Sequence, residues 1–141
     1  MRNKLRNEKI LFIASCFILL SIVLMIAVIP GILNDTSAIA IPKRALTGIV
    51  LAIIIHVGIF ILYVKLTRES RESNMNRRGE YIGVAILPIF FGLIYMDGAI
   101  AFLSHDDMLF TSILMFMSVL CDFVAASMMI TLFFLKPQQV R

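Results

Sequence analysis

Three ionisable side chains stand inside long apolar stretches of this sequence: His56, Asp97 and Asp122. An imidazole and two carboxylates held away from water are residue types that exchange protons or bind a cation, and ionisable groups within membrane-spanning segments often mark such a route. Counted from the basic end of each stretch at about 1.5 Å of helix rise per residue, His56 lies roughly 14 Å deep, Asp122 roughly 21 Å and Asp97 roughly 25 Å. The three therefore make the rungs of a candidate proton or cation path. A histidine beside Asp122 would keep that carboxylate charged by becoming imidazolium, whereas an isolated Asp122 would take up a proton. The competing reading is structural: each is a buried hydrogen-bonding group that sets helix register or joins subunits.

Asp122 makes the sharpest demand. No other side chain between Met108 and Leu135 carries a full charge. At helical rise that run crosses a hydrocarbon core of about 30 Å with some tilt. An ionised carboxylate near its middle costs at least about 2.5 kcal/mol against lipid, so it must face protein, a water-filled cavity or a partner.

The elements that position these groups follow from composition. The chain has 141 residues, 60% hydrophobic and 16% charged, with a mean hydropathy of +0.97. Those values belong to a membrane protein and leave no length for a separate water-soluble domain. The apolar runs predict an all-α integral membrane bundle of four transmembrane helices, one domain over 1–141. The spans are approximately 10–30, 45–64, 81–103 and 108–135. Pro30-Gly31 ends the first run, Pro88 in the third predicts a kink, and Lys136-Pro137 ends the fourth. The stretch Lys65 to Glu80 is polar, with a helical extension of one or two turns supported by Arg68 and Glu72 four apart.

Two processing signals are only superficial. Ile13-Ala14-Ser15-Cys16 has the form of a lipoprotein cleavage box, but the apolar run continues far beyond it. Ala38-Ile39-Ala40 has the form of a signal-peptidase site, but about 20 apolar residues precede it, more than the roughly 7–15 of a cleaved signal. A retained first helix is expected.

Orientation comes from the positive charges. Every Lys and Arg except Lys43 and Arg44 lies before the first span, between the second and third, or after the fourth. Both termini are therefore expected on the cytoplasmic side of a plasma membrane of the bacterial inner type. The opposite turns carry Asp35, His105, Asp106 and Asp107. The formal charge of +4 reflects this topology and attraction to anionic lipid, and gives no reason to invoke nucleic acid. Arg71, Arg77 and Arg78 form the basic cytoplasmic loop, a solvated segment or a dock for anionic headgroups.

Small residues mark the expected packing faces. Gly48, Ala52 and His56 fall four apart, as do Ser118, Asp122 and Ala126, so each set shares one helix face, the pattern by which membrane helices approach closely.

Other chemistry is excluded. Cys16 and Cys121 have no thiol or histidine at ligand spacing, and a copper or haem site would need clustered soft ligands or paired span histidines. No metal and no cofactor is expected. Met96-Asp97-Gly98-Ala99 resembles the opening of the motif of membrane CDP-alcohol phosphotransferases, but the remaining glycine and paired aspartates are missing, and no membership is implied. Without a phosphate loop or a nucleophile–base order, the chain is read as no enzyme. The expectation is an accessory subunit, or a helper or immunity-type protein, that binds another membrane protein or its own copies within the lipid bilayer. The alternative is a small oligomeric proton- or cation-linked transporter or channel using Asp122.

Overall fold

The computed structural model describes residues 2–33, 41–72, 78–103 and 108–134. They form four helices, α1 (Arg2–Leu33), α2 (Ile41–Glu72), α3 (Arg78–Leu103) and α4 (Leu109–Phe134). Each contains a segment long and apolar enough to cross a membrane: Arg6–Leu33, Leu46–Glu69, Gly79–Leu103 and Leu109–Phe134. An all-helical chain with four such helices is compatible with a multi-pass membrane helix bundle.

Two helices exceed the apolar runs that define them. α1 continues through Pro30 to Leu33, so the expected stop is passed by three residues. α2 continues from Lys65 to Glu72, where Lys65 Nζ lies 3.9 Å from Glu69 Oε1 across one turn. Backbone hydrogen bonding and four-apart charge pairs carry a helix beyond the apolar run that specifies its middle. α3 runs through Pro88 as one helix.

The helices form a ring in chain order and run alternately up and down. One apolar cluster joins early α1 (Leu11, Ile18), late α2 (Ile59, Tyr63), early α3 (Ala85) and late α4 (Met129). The second joins the opposite ends: Met25 and Ile32 of α1, Ile49 of α2, Ala99 and Phe102 of α3, and Met115 of α4. α4 packs closely on α3 and α1, and α1 on α2, whereas α2 and α3 touch only lightly. The perimeter is apolar, with Phe12, Ile54, Ile86 and Phe110 all more than half exposed. A rim of this kind is covered by lipid or by another protein.

Close approach of α1 to α4 depends on Gly31. A β-carbon there would run into the hydroxyl oxygen of Thr111, a buried side chain too short and branched to swing clear. Gly31→Ala is expected to lower stability by about 1–3 kcal/mol in thermal unfolding of the detergent-purified protein, through overpacking. Combining it with Thr111→Ala should recover most of the loss, since the two residues share one contact.

Candidate functional site

The two apolar clusters are separated by a polar layer. Ser21 of α1, His56 of α2, and Ser118 and Asp122 of α4 are all fully buried. They are brought to one level because the helices alternate in direction and each residue lies near the middle of its apolar run.

His56 Nε2 and Asp122 Oδ2 lie 3.0 Å apart. This bond crosses the bundle from α2 to α4, diagonal members of the ring whose backbones do not approach extensively. The other imidazole nitrogen, Nδ1, is 2.8 Å from the carbonyl oxygen of Ala52, one turn earlier in α2. A carbonyl only accepts, so Nδ1 carries a hydrogen and donates. Two acceptors cannot face each other across 3.0 Å, so a second hydrogen lies between Nε2 and Oδ2. The pair is therefore either a δ-protonated imidazole with a carboxylic acid, or an imidazolium with a carboxylate. Both arrangements have zero net charge, the condition under which a buried pair avoids the full cost of an isolated ion.

Packing holds the imidazole in place. Phe91 and Tyr95 of α3 meet its ring edge to face, with centroids 6.1 Å and 6.2 Å away. Gly92 lies between them in sequence, and a β-carbon there would stand 3.7 Å from Asp122 Cβ and 3.3 Å from the Phe123 ring. The missing side chain thus brings α3 up to the carboxylate. Ser21 Oγ and Ser118 Oγ are 2.8 Å apart, with Ser118 Oγ also 3.4 Å from the Ser21 carbonyl oxygen, which ties α1 to α4. Ser112 Oγ donates to the Ala99 carbonyl at 2.7 Å and ties α4 to α3.

Three polar atoms at this centre have no hydrogen-bond partner among the described residues although they are buried: Asp122 Oδ1 and the hydroxyls of Tyr63 and Tyr95. Among the described residues no three His, Cys, Asp or Glu side chains come together in a way that would hold a metal ion.

The residues singled out from sequence are distributed as follows. His56 and Asp122 are brought together, but Asp97 is not part of their array: it is exposed, on the side of α3 opposite its neighbours Tyr95 and Ala99. Two residues turn a helix by about 200°, so with Tyr95 inside, Asp97 lies outside. Ser118 and Ala126 are buried beside Asp122. The face shared by Gly48, Ala52 and His56 is split: Ala52 and His56 are buried, whereas Gly48 is exposed and a β-carbon there would meet nothing within 4 Å. Each four-residue step drifts by about 40° around the helix, and two steps carry Gly48 off the bundle's inner face. Arg71 and Arg78 belong to α2 and α3 by backbone; their side chains, and the whole of Arg77, lie outside the described residues.

Sequence reasoning missed Ser21, Tyr63 and Tyr95. The signal for Tyr63 was its spacing of seven from His56, which places both on one face of α2; Ser21 and Tyr95 offered none until partner helices were known.

A crevice of about 440 Å³ opens between α2 and α3 in the half of the bundle that holds Gly48. Gly48 and Ala52 line one wall and Gly98 and Ala101 the other, with Tyr95 at the inner end. Comparison with known protein families, with curated proteins and with solved structures finds no match.

Removing one partner of the central pair leaves the other buried and unpaired. Asp122→Ala and His56→Ala are each expected to cost about 3–5 kcal/mol in thermal unfolding. Asp122→Asn keeps an N–H able to donate to Nε2 and conserves zero net charge, so its cost should stay near about 1 kcal/mol. A loss with Asn equal to that with Ala would contradict the proton count. Asp97→Asn, on the exposed face, should change stability by less than about 0.5 kcal/mol.

Proposed function

We propose that this chain is a multi-pass protein of a bacterial inner membrane, with both termini cytoplasmic, that acts without catalysis by docking another membrane protein against α2 and α3. It serves as an accessory subunit, or as a helper of the immunity type. The observation that carries this reading is the α2–α3 seam. Small residues on facing helices normally let those helices close on each other. Here Gly48, Ala52, Gly98 and Ala101 line an open crevice instead, and among the described residues none fills the space that Gly48 clears. An apolar helix from a partner, inserting a bulky side chain between these walls, is the occupant that the shape and lining suit. The inter-helix bonds of Ser21, His56, Ser112, Ser118 and Asp122 support the same reading, because they join helices within the chain and lie between two apolar clusters. The distribution of Lys and Arg supports the orientation.

A second reading, a proton- or cation-linked transporter or channel acting as an oligomer, is favoured by one observation: Asp122 keeps an oxygen, Oδ1, without a hydrogen-bond partner beside a proton shared with His56.

The two readings separate by experiment. A photo-crosslinker at Gly48 or Leu51 in native membranes should capture one stoichiometric partner, heterologous or a second copy, that a crosslinker at the α1 perimeter residue Ile26 does not. Gly48→Leu with Ala101→Leu should abolish that capture and leave the melting temperature within a few degrees of the parent. Equal labelling at all three positions would refute the docking face. For the transport reading, Asp122→Asn in liposomes should abolish proton or cation flux; flux equal to that of the parent would remove it.

A further inference from the structure

We infer that the bundle centre binds a water molecule held between Asp122 Oδ1 and the hydroxyls of Tyr63 and Tyr95. The proposal does not rest on the docking reading, although Tyr95 also lines the inner end of the α2–α3 crevice. Asp122 Oδ1, Tyr63 Oη and Tyr95 Oη are buried with no hydrogen-bond partner among the described residues. Asp122 and Tyr63 are fully buried, and Tyr95 is 6% exposed.

Helix geometry turns the two phenols toward a common level. Side chains lean toward the amino terminus of their own helix. Tyr63 follows His56 by two turns of α2, so its ring leans back toward the His56–Asp122 level from the Leu11 and Met129 side. Tyr95 follows Gly92, which packs on Asp122, by nearly one turn of α3, so its ring leans back to the same level from the Met25 and Met115 side. α2 and α3 are antiparallel, so the lean of each ring toward the amino terminus of its own helix turns the two phenols toward the same level from opposite ends. Tyr95 also meets the His56 ring edge to face, which limits where its hydroxyl can turn.

Buried waters typically make about three hydrogen bonds to buried polar groups that would otherwise go unsatisfied. The three orphaned atoms supply that number. Asp122 Oδ1 accepts from the water, and each tyrosine hydroxyl either donates to the water or accepts its second hydrogen. Tyr63 belongs to one apolar cluster and Tyr95 to the other, so the site lies between the two. The carboxyl group of Asp122 then bridges the two polar contacts, with Oδ2 on the imidazole and Oδ1 on the water.

The sign of a stability change tests the site. A tyrosine hydroxyl buried without a partner is a burden whose removal stabilises; one bonded to water is an asset whose removal destabilises. Tyr63→Phe and Tyr95→Phe, which conserve ring volume, should each lower the melting temperature of the detergent-purified protein. An unchanged or higher melting temperature for both would overturn the site. A direct tyrosine–aspartate hydrogen bond would lower it too, so infrared spectra of dried membranes rehydrated with water of ordinary or heavy oxygen supply the second readout. The parent should show an isotope-shifted stretch of a buried water that is absent in Tyr95→Phe and Asp122→Asn. Absence of that band in the parent overturns the proposal even if both phenylalanine variants melt early.

Discussion

One hydrogen bond between diagonal helices organises this bundle. Neighbouring helices in a four-helix ring can be held by side-chain packing along their seams, but diagonal helices meet only at the axis, where nothing except a long side chain from each will reach. His56 and Asp122 provide that reach, and the Ala52 carbonyl sets which imidazole nitrogen is left for the carboxyl group. Because both partners are fully buried, neither can turn to solvent if the other is displaced. The pair thus sets the relative height of α2 and α4.

The rest of the polar layer follows from the same constraint. Serine hydroxyls at the α1–α4 and α3–α4 contacts satisfy one another or a facing carbonyl, so α4 is tied to each of the other three helices by at least one buried hydrogen bond. In an apolar surrounding such bonds specify position more than they add affinity, because the alternative is a polar group with nothing to bond. The apolar clusters on either side contribute bulk contact without comparable directionality. Register resides in the thin layer between them.

α2 and α3 are the exception to this economy. Their contact is light, and the small residues at their seam line open space. Three seams that are closed and one that is open make the bundle asymmetric, and the asymmetry gives the α2–α3 face a character different from the largely apolar perimeter elsewhere.

Much of this was legible in the sequence. Hydropathy alone placed four helices within a few residues of their observed middles, because a run of some twenty apolar residues has one stable backbone solution in an apolar medium. The need to shield Asp122, which the structure buries completely, also followed from the sequence, since burying a charge is costly in any fold. The end of α1 was less legible, because helix hydrogen bonding carries it past Pro30, whereas α2 runs on to Glu72 as the four-apart charges past Lys65 predict. Which ionisable groups meet was not written locally at all. Asp97 and Asp122 both interrupt apolar runs, yet one faces out and the other in, because helix rotation about its axis is decided by summed packing against neighbours. The same holds for Tyr63 and Tyr95, ordinary residues in the chain whose hydroxyls acquire meaning only when antiparallel helices lean them toward one carboxylate. Composition and periodicity determine what must be buried; three-dimensional assembly decides what it is buried against, since contacts between residues 66 positions apart leave no periodic trace in a single chain.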